Sequence, residues 1–180
     1  MTALASYFTL PGESTHHLLG TIHLTVRTPR PSGPHPVVVL RYGERGSGFT
    51  DATTAALALT AAGFATVLFG SEPPAVEQEQ ERPADPLDDW YAVLPWVAGH
   101  PAVREDAVAA WGAGADAHDV RELLIAGAVR LAVPVTPSDR RGMLRRLVAR
   151  ARREDALAPQ GHPEVLLPGQ IALLREHLHP

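Results

Sequence analysis

The sequence contains no cysteine, no lysine and no asparagine among its 180 residues. Without cysteine, the chain has neither a thiol nucleophile nor a disulfide, and cysteine usage leaves the redox compartment open. Without lysine, it has no amine that could form a Schiff base or act as an amine base. Covalent catalysis through a thiol or a lysine amine is therefore excluded.

Long apolar runs and a surplus of basic residues are missing as well. No run approaches the roughly 20 apolar residues of a membrane span, and residues 1–11 lack the basic and apolar regions of a signal peptide. The formal net charge of -4 argues against a nucleic-acid binder. With 45% hydrophobic and 20% charged residues, we expect one cytoplasmic domain over residues 1–180, bound to neither membrane nor nucleic acid.

Hydrophobic patterns predict strands that alternate with helices. Leu19–Arg27 alternates apolar and polar residues, which predicts a half-buried strand, with Tyr7–Leu10 as its hairpin partner. The β-branched run His35–Leu40 is typical of a strand covered on both faces. Further strands are predicted over Phe64–Phe69, Asp106–Trp111 and Leu131–Val135, with a short last strand over Glu164–Pro168. Because a proline has no N–H to donate to a neighbouring strand, Pro134 predicts that the strand Leu131–Val135 lies at an edge of the sheet or ends at this proline.

Segments of helical length lie between these strands. Alternation of this kind requires right-handed crossovers, and so predicts an α/β fold: a mainly parallel sheet with helices on both faces. The predicted helices are Phe49–Ala62, Leu87–Ala98, Ala115–Ala126, an arginine-rich helix from Ser138 to Asp155, and Gln170–Leu178.

One stretch, Ala107 to Asp116, reads as a buried strand, a glycine turn and the start of a helix. Together with the step Leu59–Val67 and the glycine loop after Arg41, it resembles the α/β-hydrolase superfamily, in its dienelactone-hydrolase-like and short esterase-like branch. The resemblance covers roughly Leu19 to Ala128. It implies an abbreviated α/β-hydrolase-like fold with a leading antiparallel strand pair.

The chain departs from that family where the family does its chemistry. In G-x-S-x-G the serine attacks, whereas here Gly114 stands at the centre and Asp116 replaces the last glycine. Glu44 follows Tyr42-Gly43 where the family has His-Gly, and a carboxylate there would repel an oxyanion. We can place neither the acid nor the histidine of a triad, and a strand–helix unit is expected to be missing before Pro168. The resemblance therefore implies a scaffold without a Ser-His-Asp set.

Other groups could still act at this place. Asp116 and His118, with Glu44, are candidate acid–base residues beside the glycine turn, although acidic residues also favour a helix N-terminus for structural reasons alone. Aromatic residues that end adjacent strands, Tyr42, Phe69 and Trp111, would line a site for a hydrophobic small molecule, or would simply be core. The candidate ligand-binding residues are Tyr42, Gly43, Phe69, Ser71, Gly114 and Ala115.

Metals, cofactors and partners receive less support. The nine histidines show no convergent ligand spacing in a well-predicted element, so we expect no metal and no cofactor. The helix carrying Arg140 to Arg153 is basic and amphipathic, which would suit a homodimer contact or an acidic protein partner. The alternative is a solvated face, balanced by the acidic loop that starts at Glu72.

Three hypotheses for function follow. The first is a catalytically degenerate hydrolase-like protein that acts in binding, scaffolding or partner stabilisation. The second is a repurposed cyclase, lyase, isomerase or decarboxylase acting on a hydrophobic small molecule. The third is a hydrolase whose nucleophile has moved, for example to Ser71 or Ser138.

Overall fold

The computed structural model describes residues 12–30, 33–42, 49–71, 86–114, 116–135 and 167–178. Within them, strands and helices alternate as the hydrophobic patterns predict. The strands are β1 Glu13–Leu19, β2 Ile22–Thr28, β3 His35–Arg41, β4 Ala65–Ser71, β5 Val103–Ala113 and β6 Leu131–Val135. The helices are α1 Phe49–Ala61, α2 Pro86–Ala98, α3 Asp116–Ile125 and α4 Leu167–Leu178.

The described strands form one six-stranded sheet in the order β1-β2-β4-β3-β5-β6. β2 runs antiparallel to both β1 and β4. β4, β3, β5 and β6 run parallel to their neighbours. The predicted fold class, a mainly parallel sheet that begins with an antiparallel pair, is confirmed. β6, with Pro134, lies at the edge of this sheet, where a strand tolerates a missing N–H donor.

The hairpin partner predicted for β2 is wrong. β2 pairs with Glu13–Leu19, and Leu19 faces Ile22 across a two-residue turn in which Gly20 adopts a φ of +60°. The predicted strand Leu19–Arg27 therefore joined the end of β1, the turn and most of β2. Tyr7–Leu10 lies outside the described residues.

The short last strand predicted over Glu164–Pro168 is also contradicted where it can be seen. Leu167 and Pro168 are the first two residues of α4. Proline suits the first turn of a helix, because the N–H it lacks would have no partner inside the helix there. The rest of that prediction, residues 164–166, lies outside the described part of the chain.

The core lies on both faces of the sheet, and β3 contributes to each. Val37 and Val39 point to one face, where they pack with apolar side chains of α2 and α3. Val38 and Leu40 point to the other face, against α1 and α4. All four side chains are fully buried, as the continuous β-branched run predicts. The helices therefore cover both faces, and the carboxyl ends of β3, β4 and β5 meet at one edge.

Candidate site at the carboxyl edge of the sheet

A sharp strand-to-helix turn lies at this edge. β5 ends at Ala113 and α3 begins at Asp116, with Gly114 between them at a φ of +67°. That left-handed conformation favours glycine. The Gly114 N–H donates to the carbonyl of Val135 in β6 at 3.0 Å, and its carbonyl accepts from the N–H of Ala117 at 3.3 Å. The bend predicted from the glycine motif is present, and the residue at its centre has no side chain.

A second glycine allows α3 to start so close to β5. A Cβ placed on Gly112 would lie 2.4 Å from the carbonyl oxygen of Asp116 and 2.9 Å from a methyl of Val120. Any side chain at 112 would therefore push the first turn of the helix away from the strand. Gly112 thus fixes the place where Asp116 enters the site.

The strand register brings three residues level with one another across this edge. Arg41, the last residue of β3, pairs with Phe69 of β4. Leu40 pairs with Trp111, so Arg41 is level with Gly112 of β5. Because side chains alternate along a strand, Arg41 points to the same face as Val37 and Val39, towards α2 and α3.

Three carboxylates surround the Arg41 guanidinium there. Its Nη2 donates to Oδ2 of Asp89 in α2 at 3.3 Å. Its Nη1 lies 3.6 Å from Oδ1 of Asp116 and 3.5 Å from Oδ2 of Asp119, both in α3. We call Arg41, Asp89, Asp116 and Asp119 the Arg41 cluster. It ties the end of β3 to the first turns of two helices.

Burial changes the proton affinity of two of these carboxyls. It raises the pKa of Asp116 to about 6; the positive charge of Arg41 opposes this shift, and the nearby charge of Asp119 adds to it. Burial likewise raises the pKa of Asp89, again against the effect of Arg41. Oδ2 of Asp116 is buried and has no hydrogen-bond partner among the described residues. Asp116 is therefore an acidic group at this edge whose charge changes close to neutral pH.

The structure does not bring His118 to Asp116. Asp116 is buried, whereas the His118 side chain is 77% exposed, and its Nε2 lies 3.9 Å from Glu122 one turn further along α3. Two residues along a helix correspond to a rotation of about 200°, so the two side chains leave opposite sides of α3. The predicted acid–base candidates thus reduce to Asp116 among the described residues, since Glu44 lies outside them.

The three aromatic residues do not converge on one pocket. Phe69 is fully buried and meets the ring of Trp90 edge-on at 4.7 Å, on the α2 face. Trp111 lies on the opposite face and donates from Nε1 to Oε1 of Gln170 in α4 at 3.0 Å. The Tyr42 hydroxyl donates to the carbonyl of Gly70 at 3.4 Å. Phe69 and Trp111 belong to the core on the two sides of the sheet.

The other predicted site residues are divided between the described and undescribed parts of the chain. Ser71 ends β4 and pairs with Ile22 of β2, next to the same edge. Gly43, Ala115 and the arginine-rich helix from Arg140 to Arg153 lie outside the described residues, as does Ser138.

Sequence reasoning missed three members of the cluster: Arg41, Asp89 and Asp119. The available signal was weak. Arg41 is a single charge at the end of an apolar strand, and Asp89 is one of two acidic residues in the first turn of α2. Both features also occur for purely structural reasons, since acidic residues favour helix N-termini.

Among the described residues, no group of three histidine or acidic side chains is arranged to hold a metal ion. In the Arg41 cluster the guanidinium occupies the space between the carboxylates. None of the described helices is long and apolar enough to cross a membrane.

Comparison with known proteins adds information about the fold. No family model matches the sequence, and no curated protein matches it. Among solved structures, a hypothetical protein from Pseudomonas aeruginosa is similar with a TM-score of 0.55 and 17% identity over 72% of this chain and 44% of its own. An esterase from Pyrobaculum calidifontis is similar with a TM-score of 0.54 and 21% identity, over 69% of this chain and 44% of its own. A thermostable esterase from Pseudomonas putida is similar with a TM-score of 0.51 and 19% identity, over 66% of this chain and 41% of its own.

The chain spans less than half the length of each of these three proteins. At such identities the likeness concerns the fold. The chain has an α/β-hydrolase-like fold, as its glycine turn and element order predict.

Proposed function

We propose that this protein is a catalytically degenerate member of its fold, which binds a small molecule or a partner at the carboxyl edge of the sheet without forming an acyl-enzyme. The observation that carries the proposal is Gly114. It occupies the bend between β5 and α3 and has no side-chain oxygen to offer a carbonyl carbon. Nucleophilic catalysis needs such an atom beside a base.

The surroundings of the bend support the same conclusion. Stabilising an oxyanion requires donors and positive charge at the reacting carbonyl. Here the guanidinium of Arg41 is shared among three carboxylates, two of them in the first turn of α3. Their negative charge opposes a developing oxyanion and offsets the positive end of the helix dipole. Of the described histidines, the one in α3, His118, faces away from this place.

Ester hydrolysis tests the proposal. We expect the purified protein to release p-nitrophenol from p-nitrophenyl acetate and butyrate no faster than the buffer does. Gly114→Ser should not gain activity, because a hydroxyl alone lacks a base; Gly33→Ser, in open space away from the bend, is its matched control.

Clear turnover by the wild-type protein that disappears on one substitution would overturn the proposal. Ser71→Ala and Ser138→Ala should be measured first, since loss of activity in either would support a relocated nucleophile.

A second candidate function is a non-hydrolytic enzyme, such as an isomerase, lyase, cyclase or decarboxylase, acting on a hydrophobic small molecule. Asp116 favours it, because a buried carboxyl with a pKa of about 6 can both accept and donate a proton near neutral pH. Mass spectrometry of a metabolite extract incubated with wild-type protein or with Asp116→Asn distinguishes the two. An enzyme of this kind consumes a metabolite that the variant spares, whereas a binding protein leaves both extracts the same.

A further inference from the structure

We propose that the contact between the edge strand β1 and helix α2 is sensitive to acid, and that it opens when the imidazole of His100 takes up a proton. Three aromatic rings make the contact: His17 in β1, Trp96 in the last turn of α2, and His100 between α2 and β5. We call these three residues the ring cluster. The inference is independent of the proposed function, because the ring cluster includes neither the glycine bend nor any residue of the Arg41 cluster.

The three rings lie in mutual contact. The centre of the Trp96 ring is 5.0 Å from that of His17 and 5.3 Å from that of His100. The two imidazole centres are 5.9 Å apart, with the rings nearly perpendicular. His17 is paired with Leu24 of β2, so its side chain points to the α2 face of the sheet. The ring cluster therefore joins a mostly exposed edge strand to a helix that packs on the core.

One hydrogen bond favours the neutral form of the His100 ring. Nδ1 of His100 accepts from the N–H of Ala102 at 3.3 Å, so this nitrogen offers a lone pair and the ring proton lies on Nε2. A further proton has to enter at Nδ1, where it would face the Ala102 N–H. His100 therefore cannot take up a proton and keep this hydrogen bond.

The surroundings of His100 act in the same direction. Burial lowers the pKa of His100, and the charge of His17 lowers it further. Because this pKa lies below the ordinary value of 6.5 while the contact is closed, His100 takes up a proton more readily once the contact has opened. The closed contact is therefore most stable above pH 6.5 and becomes less stable as the pH falls below it. His100 is only partly buried, so a proton can reach it from the solvent.

Other charged side chains of the neighbouring elements do not account for this shift. They are Glu13 in β1, Asp88, Asp89 and Tyr91 in α2, Arg104, Glu105 and Asp106 in β5, and His35 in β3. The causes of the lowered pKa of His100 are burial and His17. His23 and Arg27 of β2 pair with Leu18 and Ser14, and so point to the opposite face of the sheet from His17.

β1 is the element that we expect to move. Val97, next to Trp96, is fully buried in the core and holds the last turn of α2 in place. β1 lies at the edge of the described sheet, and most of its side chains are exposed. Protonation of His100 beside His17 should therefore separate the His17 ring from Trp96, while β1 stays hydrogen-bonded to β2.

Nuclear Overhauser effects (NOEs) between the ring protons of His17 and Trp96 measure this contact directly. The isotope-labelled full chain is titrated from about pH 8 to about pH 5, the range in which histidine titrates, and the His100 ring signals are followed in the same spectra. We expect the His17–Trp96 NOEs to be lost in step with protonation of His100. NOEs between Phe69 and Trp90, whose ring centres lie 4.7 Å apart in the core, should persist and show that the fold is intact.

Two results of this titration would overturn the inference. The first is that the His17–Trp96 NOEs stay constant or strengthen while His100 is protonated. Strengthening would show that the attraction of an imidazolium to the face of the Trp96 indole outweighs the loss of the Ala102 hydrogen bond. The second is loss of the Phe69–Trp90 NOEs over the same pH range, because the whole domain would then be unfolding.

Three substitutions assign the effect to His100. His100→Asn offers a side-chain oxygen as acceptor for the Ala102 N–H and does not titrate, so its His17–Trp96 NOEs should be independent of pH. His17→Phe keeps a ring at this position and removes the charge, so the pKa of His100 should rise towards 6.5. His16→Gln removes an imidazole of β1 that bonds Thr25 outside the ring cluster, and should lose the NOEs in acid as the wild-type protein does.

The variants can contradict the inference even where the wild-type titration agrees with it. Loss of the NOEs in acid by His100→Asn would show that another group opens the contact. An unchanged pKa of His100 in His17→Phe would show that the two imidazoles do not interact, which a purely structural ring cluster would also give. NOEs that become independent of pH in His16→Gln would assign the effect to the wrong histidine.

Discussion

Two opposing electrostatic effects act on the side chain of Asp116. Burial disfavours its ionised form, while the guanidinium of Arg41 at 3.6 Å favours it. The pKa of about 6 shows that burial, with help from Asp119, outweighs the ion pair. The carboxylate is therefore present near neutral pH at a cost in folding free energy.

This cost should be visible in the stability of Asp116→Asn. The pKa of Asp116 in the folded protein, about 6, lies above the ordinary aspartate value of 3.8, so the folded state binds the proton more tightly than the unfolded state does. The stability that protonation provides is complete below pH 3.8 and is lost as the pH rises through about 6. In urea unfolding at neutral pH, we expect Asp116→Asn to be more stable than the wild-type protein by about 1–2 kcal/mol.

The two stability curves should converge as the solution is acidified towards pH 3.8, where the side chain is protonated in the folded protein. Asp88→Asn controls for the loss of one negative charge. If Asp116→Asn is instead less stable than the wild-type protein at neutral pH, the attraction of the carboxylate to Arg41 stabilises the fold by more than burial of the charge destabilises it.

At the scale of single residues, the sequence predicted Asp116 but not its partners. Asp116 is recognisable because it follows the glycine turn directly. Arg41 lies 75 positions earlier (116 minus 41), and only the adjacency of β3 and β5 brings the two together. His118 is near Asp116 in sequence, which suggested that the two side chains could act together. In a helix, however, residues two positions apart point in nearly opposite directions.

The contact between a strand and a helix is the main feature at the scale of elements. The first turn of α3 lies directly over the backbone of Gly112, which has no Cβ to separate them. This contact, together with the bend at Gly114, sets the position of the Arg41 cluster. The site therefore depends on the spacing of two elements as much as on its own side chains.

Gly112→Ala should consequently be strongly destabilising. Its Cβ would lie 2.4 Å from the Asp116 carbonyl oxygen, so α3 would have to move or the backbone would have to distort. We expect a loss of about 2–3 kcal/mol in the free energy of unfolding, measured by urea denaturation. Gly99→Ala, whose Cβ would meet its nearest atom at an ordinary 3.6 Å, is the control. Similar losses in the two variants would mean that the start of α3 adjusts freely.

Elements with a clear hydrophobic pattern were predictable from the sequence, and elements whose ends that pattern does not mark were not. The buried strands β3 and β4 carry continuous apolar runs, and α2 shows one apolar face. β1 is an edge strand with mostly exposed polar residues, so it leaves no apolar signal. The alternation of β2 continues backwards through the Gly20–Thr21 turn, and this hid the start of the strand.

For the whole molecule, β3 joins two cores that lie on opposite faces of the sheet. Val37 and Val39 belong to the core under α2 and α3, and Val38 and Leu40 to the core under α1 and α4. Each core also contains one deeply buried tryptophan, Trp90 in the first and Trp111 in the second. If β3 leaves the sheet, both cores lose their centre together.

The two cores should therefore unfold in one transition, and the tryptophans can report it. A variant with Trp96→Phe and Trp111→Phe keeps Trp90 as its only tryptophan, and one with Trp90→Phe and Trp96→Phe keeps Trp111. Both pairs of substitutions lower stability, so fluorescence and circular dichroism are compared within each variant rather than between variants. We expect the two signals to give the same urea midpoint in both proteins, as for a two-state domain. An earlier fluorescence midpoint for Trp111 alone would show that the α1 and α4 face opens first. In that case the side chains that β3 contributes to each core are too few to make the two cores unfold together. The Arg41 cluster, which lies on the α2 and α3 face, would then persist in the partly unfolded protein.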